Sequence, residues 1–360
     1  MNSSDLVDPI GDLLNLHHVL EAEHDDGDKG NFLFGWQCEN PFASSLITKA
    51  SKGARELNRV QYSYLEEDKL LVDRIRQVHK ALDGVTCEDA FCGAGATALL
   101  VTFAAYLQAS HIKELYFIPP IYFSLHFALR LFGVRARPIS AHHAFERQFT
   151  MNLPEKRTFL ILTDPIWYAG VPVPTSVLEA IRQWQQHTGS VVIIDGSFQY
   201  MPWNDVVAEP TAHLDPALTI RLISPSKSLC VAGYRFAYLL IPKDWRKKLS
   251  HIYTNIYASA SAETIAFGHE AVRAMQERQL TKSLVNIIRN RHAALRAEAK
   301  IESDVSATCG YFVFEKLKYE LPAHYVRMGG EFFDQPRFPG YTRINLLSPS
   351  FHLLGRATWP

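Results

Sequence analysis

Lys227 stands in the run Ser224-Pro-Ser-Lys-Ser-Leu-Cys-Val-Ala-Gly-Tyr-Arg-Phe-Ala237, with hydroxyl residues on both sides and Arg235 eight positions further on. An amine that forms an imine must shed its proton near neutral pH, and neighbouring cations together with exclusion of water favour the neutral form. Arg235 is such a cation, and its planar fork suits phosphate oxygens. Taken alone the run is equally a basic surface turn. A second group changes the balance. Val191-Val-Ile-Ile-Asp195 is a short β-branched run ending in a carboxylate, the pattern of a buried parallel strand that presents Asp195 at its C-terminal end, where ligands of open α/β sheets collect. An aspartate there could keep a pyridine nitrogen protonated, and a lysine paired with such an aspartate is the signature of pyridoxal phosphate chemistry.

From about Tyr62 to Arg343 the chain resembles the fold-type I pyridoxal phosphate enzymes, specifically the class I/II aminotransferase family, with its landmarks in the family's order. Gly95-Ala96-Thr97 resembles the turn whose amides hold the cofactor phosphate at a helix N-terminus, where unpaired N–H groups and the helix dipole favour an anion. Pro120-Ile-Tyr122 is similar to the motif whose tyrosine stacks on the pyridine, and Asp164-Pro-Ile-Trp-Tyr-Ala-Gly170 takes the place of the family's Asn-Pro-x-Asn-Pro-Thr-Gly loop. The resemblance implies that Asp195 meets the pyridine nitrogen, that Lys227 carries the imine, and that Ser224, Ser226 and Arg235 hold the phosphate. Tyr341-Thr-Arg-Ile-Asn345 resembles the late strand whose arginine, here Arg343, grips a substrate α-carboxylate through a bidentate pair. A tyrosine that reaches the phosphate of the other subunit falls at Tyr62 or Tyr64, which implies a homodimer with shared sites. The substrate side chain would meet loops and an N-terminal arm around Phe34-Gly35-Trp36.

Two departures concern the cofactor's phenolic oxygen. Trp167 stands where the family has an asparagine that hydrogen-bonds this oxygen, and an indole can donate but has no acceptor. Phe198 stands where many members have a tyrosine bonded to the same atom. Ser197, Gln199, Tyr168 and Tyr200 are the nearby candidates to replace them, since an unpaired phenolate in a buried site is costly. The stretch from Asp195 to Phe198 also resembles that of specialised relatives that oxidise or cyclise arginine-like amino acids. The expected activity is therefore Cα deprotonation of an α-amino acid, followed by transamination or, alternatively, by elimination, cyclisation or oxidation.

A rival reading comes from Asp89-Ala-Phe-Cys-Gly-Ala-Gly-Ala-Thr97 and Asp164-Pro-Ile-Trp167, which resemble the glycine loop and Asp-Pro-Pro-Tyr motif of S-adenosylmethionine-dependent methyltransferases. Against it, Glu114-Leu-Tyr-Phe-Ile118 runs into Pro119-Pro120 and offers no acid for a ribose. That reading also leaves Lys227, Asp195 and Arg343 unused.

The elements that must position these groups follow from periodicity. Helical patterns at Asp68–Leu82, Thr97–Gln108, Phe123–Phe132 and Thr175–His187 alternate with strand runs near Glu114–Ile118, Arg135–Ile139, Thr158–Leu162, Val191–Ile194, Leu218–Ile223 and Phe236–Ile241. This alternation predicts an α/β fold with a mainly parallel sheet flanked by helices. A helical stretch over Ala262–Ala299, interrupted near Leu280, leads to a small α+β domain with strands near Tyr311–Phe314 and Thr342–Leu346. The expected division is an arm over 1–50 with a helix at Asp12–Glu23 and a breaker at Asp25–Gly30, a cofactor-binding domain over 51–245, and a small domain over 246–360. A chain of 360 residues, 47% hydrophobic, can bury such cores. Its 37 basic and 37 acidic residues balance, so no basic field favours nucleic acid. Five cysteines without a Cys-x-x-Cys pair suit reduced thiols in the cytoplasm. The histidine pairs 17/18 and 142/143 lack metal-ligand spacing, and neither a signal peptide nor a membrane span is expected.

Overall fold

The computed structural model describes residues 35–57, 60–298, 300–318, 329, 333 and 337–351. The expected helix at Asp12–Glu23, the breaker at Asp25–Gly30, and Phe34 lie outside the described residues. A seven-stranded sheet is built from β1 (Asp89–Gly93), β2 (Glu114–Phe117), β3 (Arg135–Pro138), β4 (Phe159–Thr163), β5 (Val191–Gly196), β6 (Thr219–Ile223) and β7 (Ala237–Ile241), in the spatial order β1-β7-β6-β5-β4-β2-β3. All pairings from β6 through β5, β4 and β2 to β3 are parallel, while β7 runs antiparallel to both β6 and β1. This is the predicted mainly parallel α/β architecture.

Residue alternation explains why the sheet is covered on both faces. On β5, Val191 and Ile193 join one apolar cluster and Val192 and Ile194 another. On β7, Ala237, Leu239 and Ile241 pack on one side and Tyr238 and Leu240 on the other, as a two-residue period dictates. Among the described residues the first face is covered by α3 (Ala96–Ala109), α4 (Phe123–Leu131) and α7 (Trp245–Tyr257). The opposite face takes α1 (Ser44–Glu56), α2 (Lys69–Asp83) and α8 (Ala262–Glu277) at the β1/β7 end, and α5 (Thr175–Thr188) further along. A short helix, α6 (Pro225–Ser228), lies in the turn between β6 and β7. The last helix, α9 (Gln279–Ala297), packs toward an antiparallel sheet in the order β10 (Tyr341–Asn345), β9 (Phe312–Leu317), β8 (Ile301–Glu302).

Local chemistry sets the ends. Asp68 caps α2 by accepting from Leu71 N at 3.0 Å, and Ser261 caps α8 by accepting from Thr264 N, each satisfying an orphan amide of the first turn. The break expected near Leu280 falls at Arg278, whose φ of +58° ends one helix and starts the next. Besides the one-turn α6, two longer helices, α1 and α7, lie outside the sequence expectation. The buried residues of α1, Leu46, Ala50 and Ala54, recur every fourth position but are mostly small, so their stripe is faint although it permits close packing against α8. The buried stripe of α7, Trp245, Leu249 and Tyr253, has the same spacing and is diluted by Lys247, Lys248 and His251. The division after residue 50 passes through α1.

The β4–α5 loop is fastened to the small sheet at Gly170, whose carbonyl accepts from Thr308 N at 2.9 Å and Cys309 N at 3.1 Å. Its φ is +63°, and a Cβ there would stand 2.5 Å from the carbonyl oxygens of both Cys309 and Phe312. Gly170→Ala should therefore lower the unfolding free energy by about 2–4 kcal/mol, through left-handed strain plus backbone overlap. Gly189→Ala, at φ +66° with no atom near, should lose only about 1 kcal/mol. Urea denaturation of the two variants checks this, and equal losses would show that the loop simply gives way.

Candidate active site

Parallel strands present their C-terminal ends at one edge, and the sequence motifs leave the sheet there. Gly95 follows β1, Tyr122 follows β2, Asp164 follows β4, Asp195 is in the last turn of β5, and Ser224 follows β6. Because β7 runs antiparallel, Arg235, just before it, returns to the same edge. One cavity is lined by Trp36, Ala96, Thr97, Tyr122, Trp167, Asp195, Ser197, Phe198, Ser224, Ser226, Lys227 and Arg235. The two motifs that resemble a methyltransferase thus open onto the same cavity as Lys227, through Thr97 and Trp167.

At one end lies a cradle. Gly95 is the N-cap of α3 with φ +97°, and a Cβ on it would stand 3.0 Å from an Arg235 guanidinium nitrogen, so only glycine lets the backbone and that cation approach. Ser224 and Ser226 are buried with their hydroxyls 3.2 Å apart. Hydroxyls, a guanidinium and a helix N-terminus together form an anion site.

Also in the lining, Asp195 is 4% exposed, and its Oδ1 accepts from the Ser197 hydroxyl at 2.6 Å and from Ser197 N at 3.1 Å. Oδ2 has no protein hydrogen-bond partner among the described residues. Burial raises the carboxyl above its ordinary value, only partly offset by the Ser197 bonds, so a cationic N–H at Oδ2 would be strongly favoured. Lys227 is pushed below the ordinary lysine value, chiefly by burial and then by the charges of Arg235 and Arg343, against the opposing influence of Cys38. A lowered amine is what imine formation requires.

The replacements considered for the missing partners of a phenolic oxygen can now be sorted. Ser197 is bonded to Asp195, and Gln199 Nε2 donates to Asp164 at 3.3 Å and Thr211 at 2.7 Å. The Tyr168 hydroxyl lies 2.7 Å from His143 Nδ1, and Tyr200 donates to Asp83 at 2.7 Å. All four are engaged elsewhere. Trp167 Nε1, by contrast, is a buried donor without a partner among the described residues. The bulk of Trp167 stacks on Trp36, with ring centres 5.3 Å apart.

Arg343 is beside the cavity rather than in its lining. It is fully buried, with its guanidinium 4.1 Å from the Trp36 ring centre, 4.4 Å from Phe312 and 5.5 Å from Trp167. Burial pushes it down to about 9. Trp36 also lies 5.5 Å from Lys227 Nζ, so one indole covers both cations. Gly35 is held by its carbonyl, which accepts from Asn345 Nδ2 at 3.2 Å. Tyr62 and Tyr64 are outside the cavity, stacked on each other at the surface with 77% and 36% exposure. Sequence reasoning missed Cys38, Phe312 and Asn345, which approach Lys227 and Arg343 only through the fold. Asn345 lay within the quoted strand motif, two residues from Arg343, and that was its one signal.

The chain belongs to the aminotransferase class I and II family, whose description matches residues 45–346. Members of this family use pyridoxal 5'-phosphate, and the donor set fits it: an anion cradle, a buried carboxylate with a free oxygen, an orphaned indole N–H and a depressed lysine. Among solved structures, the chain is similar to Escherichia coli YbdL, described with a methionine aminotransferase function, at TM-score 0.75 and 17% identity over 94% of each chain. It is similar to Bacillus subtilis BacF at 0.73 and 16%, covering 89% of this chain and 88% of that one. For N-succinyldiaminopimelate aminotransferase of Mycobacterium tuberculosis the values are 0.73 and 18%, over 93% and 92%. No curated protein matches the sequence.

Trp167→Phe removes the orphaned N–H. It should change the stability of the cofactor-free protein by less than about 2 kcal/mol, since lost packing is offset by removal of an unsatisfied donor. Its affinity for pyridoxal phosphate should fall roughly tenfold to a hundredfold, as for one hydrogen bond to a charged acceptor. Denaturation with and without cofactor separates the two effects, and unchanged affinity would assign the indole to packing alone.

Proposed function

We propose that this chain is a pyridoxal phosphate-dependent enzyme that deprotonates the α-carbon of an amino acid, with transamination as its reaction. The observation that carries this reading is the convergence of Lys227, Asp195, Ser224, Ser226, Arg235, Tyr122 and the Gly95-Ala96-Thr97 turn on one cavity. When bound, the cofactor supplies an electrophilic carbon and an electron-withdrawing ring. Asp195 holds a proton at the ring nitrogen through its free Oδ2. The amides of the 95–97 turn, the two serine hydroxyls and Arg235 hold the phosphate. Lys227, whose amine burial and the neighbouring cations push below the ordinary lysine value, would hold the cofactor covalently and, when free, would move the proton at the substrate α-carbon. Arg343 holds the α-carboxylate, which requires Trp36 to leave the guanidinium face. Tyr122 bounds the ring, and Trp36 and Trp167 shield it from water.

The second reading, elimination, cyclisation or oxidation of an arginine-like amino acid, is favoured by one observation. Among the described residues Ser197, Gln199, Tyr168 and Tyr200 are engaged elsewhere, and the Trp167 indole N–H is left in place of the family's asparagine and tyrosine, which alters charge stabilisation on the ring. Tyr62 and Tyr64, exposed and stacked, support a homodimer in which they serve the partner's phosphate. Among the described residues no helix is long and apolar enough to cross a membrane, and five free thiols support a cytoplasmic enzyme.

Incubation with pyridoxal phosphate followed by borohydride should place a single stable label on Lys227, and a label elsewhere would overturn its role. Mixing Lys227→Ala protein with Tyr62→Phe or Tyr64→Phe protein should restore activity through hybrid dimers, whereas a fully active monomer in sedimentation would sink the shared site. With a panel of amino acids, formation of 2-oxo acids at ordinary enzyme rates supports transamination. Ammonia or a cyclised product without a 2-oxo acid supports the second reading. If reprotonation is suppressed by the missing phenol, Phe198→Tyr should raise transamination.

A further inference from the structure

Two thiols that the proposed reaction does not use meet beside Lys227. Cys38 lies in the segment ahead of α1, and Cys230 comes three residues after Lys227. The two segments are laced together from both sides. Asn40 Nδ2 donates to the Leu229 carbonyl at 2.6 Å, and Asn345 Nδ2 donates to the carbonyls of Gly35 at 3.2 Å and Gln37 at 2.7 Å. Within this lacing the Cys38 thiol reaches the Trp36 carbonyl at 3.6 Å and Asn345 Oδ1 at 3.9 Å, with the Cys230 thiol and the Tyr311 hydroxyl as its hydrogen-bonding neighbours. Cys230 Sγ also reaches the Lys227 carbonyl at 3.5 Å, on a backbone with φ +50°.

We propose that Cys38 and Cys230 are a reversible modification site, closed to a disulfide by a hydroperoxide, that pins the Trp36 segment over Lys227. In the first step the Cys38 thiolate attacks one peroxide oxygen, the O–O bond breaks, and an alcohol or water departs, leaving Cys38 as a sulfenic acid. In the second, the Cys230 sulfur attacks Cys38 Sγ, the S–O bond breaks and water leaves with the Cys230 proton. Two thiols are oxidised by two electrons and one peroxide is reduced. The order follows from the surroundings. Burial would raise Cys38, but hydrogen bonds from Cys230 and Tyr311 and the charge of Lys227 outweigh it and hold the thiol below its ordinary value. Cys230 is pushed well above by burial and by Cys38, so it keeps its proton until the second step. Burial raises Cys87 to about 11 and holds Cys92 and Cys309 up as well, which disfavours the thiolate at these three positions. Cys38 is only partly buried, so a small peroxide can reach it. The linkage itself is independent of the cofactor assignment, while its effect on Lys227 rests on the proposed function.

Titration with hydrogen peroxide should lower the free-thiol count from five to three, with a Cys38–Cys230 peptide in non-reducing maps and recovery by dithiothreitol. In Cys230→Ser protein Cys38 should instead accumulate as a sulfenic acid trapped by dimedone, and Cys38→Ser protein should show no reaction at Cys230. Oxidised wild-type protein should lose pyridoxal phosphate and borohydride labelling of Lys227, and reduction should restore it. A count that stays at five, over-oxidation of Cys38 without linkage in the wild type, or a link between two chains would overturn the proposal. If the linkage forms but Lys227 is never labelled even in reduced protein, the thiol pair stands and the cofactor role of Lys227 falls.

Discussion

A guanidinium buried inside the main sheet dictates how the turns around the site are held. Arg221, on β6 next to the strand of Asp195, is 6% exposed, and a cation there is tolerable only with acceptors around it. Asp83 at the end of α2 supplies one at 3.0 Å, Gln199 another at 3.1 Å and the Tyr200 hydroxyl a third at 2.7 Å. Gln199 continues to Asp164 and Thr211, while Glu209 takes the Tyr200 amide and donates its own amide to Asp83. His79 closes the set between Asp83, Tyr200 and Tyr238. The turn after β5, which carries Ser197 and Phe198 into the cavity, and the start of the loop carrying Trp167 are therefore tied to one charge. Such a network contributes geometry more than net stability, because the desolvation of its members offsets most of their attraction.

The cavity above gathers the cations Lys227 and Arg235 in its lining, with Arg343 beside it. Lys227 and Arg343 are both pushed down by burial, and Asp195 is pushed up. For Lys227 and Asp195, a neighbouring opposite charge would favour the ionised form against this burial. Trp36 faces Lys227 and Arg343 with its π surface. That contact makes the segment around residue 36 part of the electrostatics of the site, and the lacing through Asn40 and Asn345 makes its position dependent on the Lys227 turn and on β10.

Legibility followed the length scale of each interaction. The parallel strands could be read because burial on both faces demands unbroken β-branched runs, and most of the larger helices could be read from their apolar period. The faint stripes of α1 and α7 could not, since small or charge-diluted faces still pack well once a partner surface exists. The landmarks Gly95, Tyr122, Asp195, Ser224, Lys227 and Arg235 were visible because a ligand at strand ends restricts residue type immediately beside each strand, which is a local requirement.

The sequence by itself determined the family and the mainly parallel sheet, and it named most of the residues that the structure gathers around one cavity. Only the tertiary structure decided which side chains were already committed. Four plausible donors near Asp195 are tied to Asp195, Asp164, His143 and Asp83, leaving the Trp167 indole. It also decided that Arg343 lies beneath Trp36 and that Cys38 meets Cys230. Cys38 and Asn345 are separated by 307 positions and Asn40 and Leu229 by 189. Contacts across such separations depend on how whole elements pack, and no local period or motif carries that information.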